Sequence, residues 1–474
     1  ATSGVEKKTQ KSEPNTDLAE FVNGVLLTGQ AQTNFLYDNV NIPDLINYLA
    51  GFAITSNKDC CHKNYYFFRD TYGTGEWTML PWDADLTFGH NWRSGPAYFD
   101  DDIYADNPLF VGTNNGLVSA VYNDPAMREM YVRRVRSLMD EFLQAPGTPP
   151  DELKFEQKLD ALVALVDPTD DNANTGSDDA DLDWQKWGSW SGTDASQPGG
   201  TGSPQTMREA VQRIKDEYLA LRRDYLFNTL TDDGIPVQNR IPPQQVDLAA
   251  MPPDQRGIVF GTIEFSPATG NQDEEYLQIV NNNPCSVDIS DWTLSDGISY
   301  TFAAGTVLPA GGTLYVSPNV NAFRARASGP SGGQALFVQG NYGGHLSSFG
   351  ETITLRDAAG SEIVSTTYQG DPSGAQQYLR ITEINYDPAA LTAAEIDAGI
   401  LDNTGSETLN LADVRLTQGL SFTFGNSTLE PGQFILAVKN QQAFELRYGA
   451  GMNIAGEFAA GSLNNGGERL KLED

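Results

Sequence analysis

Apolar residues recur at helical spacing through the first half of this chain and alternate with polar ones through the second. Asn15-Thr16-Asp17 can cap a helix running to about Leu27, and Ile42 to Ala50 carries the spacing of another. Asp124-Pro125 sets a capping carboxylate before proline at the first helical position, and Met127, Tyr131, Val135, Leu138 and Phe142 follow three or four apart. That pattern predicts a helix from 125 to about 143. Residues 151–166 predict a further helix, and Met207, Val211, Ile214, Tyr218, Leu221 and Tyr225 a long amphipathic one. These stripes read as ordinary core. One short stretch differs: Asn64-Tyr65-Tyr66-Phe67-Phe68-Arg69 is strand-like, Asp70 to Gly75 is turn-rich, and Glu76-Trp77-Thr78-Met79-Leu80 returns, which predicts a β-hairpin.

Residues 231–256 hold Pro236, Pro242, Pro243, Pro252 and Pro253 with little hydrophobic periodicity, and predict an extended, semi-rigid linker. Beyond it, short alternating strands are separated by Gly, Asn and Asp turns. They repeat. Ile263 to Pro267 corresponds to Ile384 to Pro388, Val287 to Leu294 to Leu409 to Leu416, Tyr300-Thr301-Phe302 to Phe422-Thr423-Phe424, and Gly350 to Leu355 to Gly467 to Leu472. Two copies of one module are predicted, 257–370 and 377–474. The second is expected to be incomplete, because Ala398-Gly399-Ile400-Leu401-Asp402 stands where the first copy has Glu274-Glu275-Tyr276-Leu277-Gln278-Ile279.

Length and charge narrow the function. The 474 residues suit about three domains. A balance of 30 basic against 63 acidic residues, net -33, argues against nucleic-acid and anionic-membrane partners. It leaves solubility, or weak Ca²⁺ binding on the acidic loops, as its meaning. Asp167 to Asp183 is the most acidic of these and predicts an exposed loop, with Asp178-Asp179-Ala180-Asp181 as the cation candidate. Three cysteines, two of them adjacent, exclude a disulfide framework. No apolar run is long enough to span a membrane, and Ala1-Thr2-Ser3-Gly4 carries no signal-peptide pattern.

The chemistry concentrates in Asn57 to Gly89. Phosphoryl transfer needs a carboxylate to orient the attacking hydroxyl and oxygen ligands to hold Mg²⁺. Asp59 and Asn64 have the Asp-x-x-x-x-Asn spacing that kinases use for these roles; Asp83 stands where a second metal carboxylate belongs, with Asp85 two residues on, expected on the same strand face. The bland alternative is that Asp83 and Asp85 cap a turn or pair with Arg69 or Arg93. Cys60-Cys61 is open to two readings, a vicinal disulfide or two free or metal-contacting thiols, and His62 reads as a packing or solvent-facing residue.

Asn64 to Asp70, Trp77-Thr78-Met79-Leu80-Pro81-Trp82-Asp83-Ala84-Asp85 and Thr87-Phe88-Gly89 resemble the CotH kinase family, atypical protein-kinase-like proteins that are secreted and include spore-coat kinases. The resemblance covers roughly residues 5–230, and the domain it implies spans 1–230. It implies Asp59 as the catalytic residue, Asn64, Asp83 and Asp85 as metal ligands, and ATP with Mg²⁺ or Mn²⁺ as cofactors. The family's N-terminal lobe, with its phosphate-covering loop and nucleotide-binding Lys, has no counterpart in Ala1 to Gln10. The chain is therefore expected to be a portion of a larger polypeptide, inactive alone.

Glu275 to Asn281, Val287 to Gly297 and Leu308 to Gly312 resemble lamin-tail domains, immunoglobulin-like modules implicated in attachment, with Trp292 in the core. The implied fold is multidomain α+β: a mostly helical kinase-like C-lobe with a short β-hairpin, then two immunoglobulin-like β-sandwiches. Two functions follow as expectations. One is an exported bacterial kinase-like protein; the other is an extracellular structural, adhesive or self-assembling surface protein whose kinase-like lobe is a non-catalytic scaffold. In either case the expected location is secreted or cell-surface, and the expected partner an extracellular protein or surface component.

Overall fold

The computed structural model describes residues 5–57, 59–89, 91–92, 99–100, 109–168, 176–187, 206–386, 398–412, 414–458, 460–461, 463–464 and 466–473. They fall into two units: the first takes in 1–267, 271–346 and 352–367, the second 268–270, 347–351 and 368–474.

The first unit begins with helices α1 (Thr16–Val25), α2 (Gln30–Asn39) and α3 (Ile42–Thr55), followed by the hairpin β1 (Tyr65–Arg69) and β2 (Trp77–Pro81) and a two-residue ladder, β3 (Asn91–Trp92) with β4 (Phe99–Asp100). Next come α4 (Gly116–Asn123), α5 (Pro125–Leu138), α6 (Lys154–Val166), α7 (Asp179–Trp187), α8 (Met207–Arg213) and α9 (Ala220–Asp224). Caps set several starts. The Asn41 side chain accepts from Asp44 N–H, and Asp124 accepts from Ala126 and Met127 N–H, with Pro125 at the first helical position as expected. Helix α3 buries Leu45, Ile46, Leu49, Ala50 and Ala53 and packs on α5, which buries Met127, Met130, Tyr131 and Val135. Together these form the helical core. The sequence pattern does not predict helix α2, because only Leu36 and Tyr37 of its ten residues are buried and no stripe marks it.

The acidic segment differs from expectation. Asp178 accepts the N–H of Asp181 at the start of α7, where Asp181 is itself buried, and buried Asp167 pairs with Arg208 at 2.9 Å. Residues 169–175 lie outside the described ones. The proline-rich stretch is not extended throughout, since it holds two short 3-10 turns, Val237–Asn239 and Pro253–Gln255, and it is anchored rather than free. Ile241 and Leu248 are buried, and the carbonyls of Pro242 and Pro243 accept from Arg136 and Arg133. Proline supplies no N–H, so the segment satisfies itself through its carbonyls.

The β part of the first unit comprises β5 (Ile258–Glu264), β6 (Tyr276–Asn281), β7 (Val287–Asp288), β8 (Thr293–Asp296), β9 (Tyr300–Thr301), β10 (Val307–Leu308), β11 (Thr313–Ser317), helix α10 (Val320–Arg324), β12 (Phe337–Gly340), β13 (Gly350–Arg356) and β14 (Glu362–Gln369). The strand orders are β12-β11-β6-β5, β14-β13-β8-β9 and β10-β7. Trp292 is buried, as expected.

The second unit comprises α11 (Gly374–Tyr378), β15 (Leu379–Asn385), β16 (Ala398–Asn403), β17 (Leu409–Asn410), β18 (Arg415–Thr417), β19 (Leu420–Thr423), β20 (Thr428–Leu429), β21 (Phe434–Val438), α12 (Gln441–Tyr448), β22 (Ile454–Glu457), β23 (Ala460–Gly461) and β24 (Lys471–Glu473). Its orders are β15-β16-β21-β22, β23-β19-β18-β24 and β17-β20. Leu379, Leu401 and Ile435 of one sheet share a buried cluster with Leu416 and Phe422 of the other.

The strand expected to be missing from the second repeat is present: β16 pairs antiparallel with both β15 and β21, just as β6 pairs with β5 and β11. Its Ala398 and Gly399 lack the aromatic and branched side chains that announce a strand. Neighbours on both sides supply the ladder instead. The repeats also share a buried asparagine at the end of this strand. Asn281 donates to the carbonyls of Cys285, Leu308 and Pro309, and Asn403 to those of Glu407 and Leu429.

Candidate functional site

Helix α3 ends at Thr55, and Ser56 turns the chain with a left-handed φ of 52° into the segment that carries Asp59. The last carbonyls of a helix need partners. Three successive ones find them here: Ala53 O accepts from Arg222, Ile54 O from the Tyr218 hydroxyl at 2.5 Å, and Thr55 O from Phe88 N–H at 2.8 Å. Arg222 is fully buried, which pulls its guanidinium below the usual range, while the tyrosines around it oppose that. A cation at a helix C-terminus is favoured by the helix dipole. The Phe88 ring meets Tyr218 and Phe155 edge-on, at 5.7 Å each. The end of α3, the Thr87-Phe88-Gly89 turn and the final helical stretch are thus one assembly.

Within the loop, the Asn57 side chain accepts Asp59 N–H at 2.9 Å. Asn64 Nδ2 donates to Asp59 Oδ2 at 2.5 Å, Lys63 Nζ lies 3.2 Å from the same oxygen, and His62 Nε2 lies 3.3 Å from Oδ1. His62 is about half exposed, in keeping with a solvent-facing residue. Cys60 and Cys61 are joined to each other as a disulfide, with Cys61 buried; Cys285 is an exposed free thiol. Asn115, which caps α4 through its side-chain oxygen, donates its Nδ2 to Cys61 O at 2.8 Å. Gly112 approaches so closely that a Cβ there would meet Cys61 Sγ at 2.7 Å.

The hairpin brings the later residues to the same place. Tyr65 pairs with Pro81 and Arg69 with Trp77, so Asn64 and Trp82 flank one end of the ladder, and Trp82 N–H donates to Asn64 O at 3.2 Å. Asn64 and Asp83 both take left-handed backbone, φ 61° and 55°, a conformation Asn and Asp tolerate better than most residues. Asp83 follows Trp82 directly. Strand β2 ends at Pro81, so Asp83 and Asp85 are exposed loop residues and do not share a strand face as expected. Arg69 turns instead to Asp17 and the Trp77 ring; Arg93 lies outside the described residues. Two carboxylates and an amide oxygen are hard-donor chemistry suited to Mg²⁺ or Mn²⁺. Among the described residues, no group of three or more His, Cys, Asp or Glu stands close enough to hold a metal ion.

Sequence reasoning missed Arg222, Asn57 and Asn115. A signal for Arg222 exists: it occupies the buried stripe between Tyr218 and Leu226, four residues from each, where a charge has to be paired with something.

Helix α3 thus runs into an Asp-containing loop, followed by a hairpin and a second aspartate, and a β region with its own sheets follows. In comparison with family models, residues 2–226 match CotH kinase protein, and residues 252–370 match Lamin Tail Domain. The chain therefore carries a CotH region followed by a lamin tail domain, the architecture its motifs suggested. No curated protein matches it.

Proposed function

We propose that residues 2–226 form the substrate-side portion of a CotH-type phosphoryl-transfer site within a secreted or cell-surface bacterial protein. The carrying observation is the direct contact of Asp59 with Asn64 at the hairpin end beside Asp83. In this reading Asp59 orients the hydroxyl of an acceptor protein and takes its proton. Asn64, through its amide oxygen, and Asp83 hold the divalent ion, with Asp85 as a further ligand. ATP bound with Mg²⁺ or Mn²⁺ supplies the phosphoryl group and the charge that offsets its oxygens. The loop's own groups do the positioning: Asn57 fixes the Asp59 backbone, and Asn64 fixes its carboxylate.

The lamin tail domain and the second repeat, which has the same strand order in its first sheet, serve attachment to an extracellular protein or surface component in this proposal. A second reading, a non-catalytic scaffold in a structural, adhesive or self-assembling protein, is favoured by one observation: both Asp59 oxygens already have partners within the loop. Calorimetric titration with ATP and Mg²⁺ separates the two. Binding by the wild type that weakens at least about 100-fold in Asp83→Ala supports phosphoryl transfer. Absence of binding in both favours the scaffold. None of the helices among the described residues is long and apolar enough to cross a membrane.

A further inference from the structure

The candidate site sits at one end of a two-stranded hairpin, and two strands alone make a marginal structure in water. Something must fix its direction. One face packs inward: Phe67 and Trp77 stack at 5.3 Å against Phe21 of α1, and Met79 is buried. The other face leaves Tyr66, Phe68, Leu80 and Trp82 exposed. Packing on one side limits the sheet's tilt but leaves the turn end to be held separately.

That end is held on the helical side by Asn41 N–H, which donates to Trp77 O at 2.9 Å, and on the other by the lamin tail domain. On helix α10, Arg324 Nη2 donates to Glu76 Oε1 at 2.6 Å and to Tyr37 O at 3.0 Å, and Nη1 to Thr74 O at 3.4 Å. A neighbour on the same helix, Asn321, donates to Gly73 O at 2.7 Å. One guanidinium thereby joins the end of α2, the hairpin turn and the start of β2. Arg324 and Glu76 side chains are about one-tenth exposed, so the pair is nearly dry. Burial pushes the Glu76 carboxyl up, and Arg324 opposes it. Asp70 completes the turn by accepting Gly73 and Thr74 N–H. Gly333 of the same domain exchanges hydrogen bonds with Asp38 and Asn34 of α2, each at 2.6 Å.

We infer that the lamin tail domain is a brace for the hairpin, with Arg324 as the residue that positions the Asn64 and Asp83 end by gripping the Glu76 end. The domain then has a duty inside this chain besides any attachment. For catalysis the inference rests on the phosphoryl-transfer reading; for the hairpin it does not. A planar fork that satisfies three acceptors on two elements transmits direction, which a single-point ammonium does not.

Hydrogen exchange on the full chain tests it, following amides of 65–69 and 77–81 in the wild type, Arg324→Ala, Arg324→Lys and Asp288→Asn. Asp288 takes part in a second contact between the lamin tail domain and the helical body, accepting from Arg134 of α5 at 3.0 Å, away from the hairpin. Exchange in the hairpin should rise about tenfold or more in Arg324→Ala and by a smaller factor in Arg324→Lys, while Asp288→Asn leaves it at the wild-type rate. An unchanged rate in Arg324→Ala, or an equal rise in Asp288→Asn, would overturn the brace. ATP and Mg²⁺ titration of the same variants adds a separate arm. Affinity lost about tenfold in Arg324→Ala and kept in Asp288→Asn links the brace to the site, whereas a wild type that binds nothing overturns the phosphoryl-transfer reading and leaves the exchange result to decide the brace.

Discussion

Glu275 immediately precedes β6 of the lamin tail domain and is wholly buried, yet its Oε1 alone collects the Tyr342 hydroxyl, Leu346 N–H and His345 Nδ1. Its Oε2 has no hydrogen-bond partner. Burial holds the carboxyl above the ordinary glutamate range, with Leu346, Tyr342 and His345 pulling it back. The native fold therefore binds this proton more tightly than the unfolded chain does. Its contribution to stability is complete below the ordinary carboxyl range and is lost as pH rises through the raised native value. Glu275→Gln keeps an acceptor at Oε1 and cannot titrate. Denaturant unfolding from pH 4 to pH 7 should find the variant gaining on the wild type as pH rises, and parallel pH courses would remove burial as the cause. At this scale the sequence told only part of the story. The Asp59 and Asn64 spacing was visible, but the partner of Asp59 was not, because His62, Lys63 and Asn64 reach it only once Ser56 and Asn64 adopt left-handed backbone.

Among the elements, the most legible were those with a strong local signal. Helix α5 had its cap, its proline and its stripe, and the hairpin had two aromatic strands around a polar turn. Helix α2 and strand β16 were illegible for a shared reason: each is specified by neighbours rather than by its own pattern. Close approach between elements was equally hidden. Gly305, at φ 89°, lies where a Cβ would stand 2.2 Å from Pro43 O at the start of α3. Alanine there forces either the turn or α3 to move. Gly305→Ala should cost about 2–4 kcal/mol in chemical unfolding, since it adds a strained φ to a backbone clash. A loss below about 0.5 kcal/mol would mean that the approach is slack.

For the whole molecule, the repeat makes a paired prediction. Asn281 and Asn403 stand at matching places in different units and cross-link the same turns through buried amides. Each unit should unfold as its own transition in scanning calorimetry. Asn281→Ala should lower only the transition of the first unit, and Asn403→Ala only that of the second, each by about 2–3 kcal/mol through carbonyls left buried without donors. Both variants shifting one common transition would show that the units unfold together.

The sequence by itself determined what depends on local pattern: a helical region with one hairpin, a proline-rich stretch, two related β repeats, and the order of Asp59, Asn64, Asp83 and Asp85 along the chain. Periodicity, caps and turn residues act over a few positions, so they can be read from a few positions. The tertiary structure alone decided that the proline-rich stretch is anchored, that Arg222 closes the end of α3, and that Arg324 reaches back 248 residues to Glu76. Those contacts join residues far apart in the chain, and each buried charge is tolerated only because acceptors that happen to face it offset the cost of taking it out of water. No local pattern encodes which acceptors those will be.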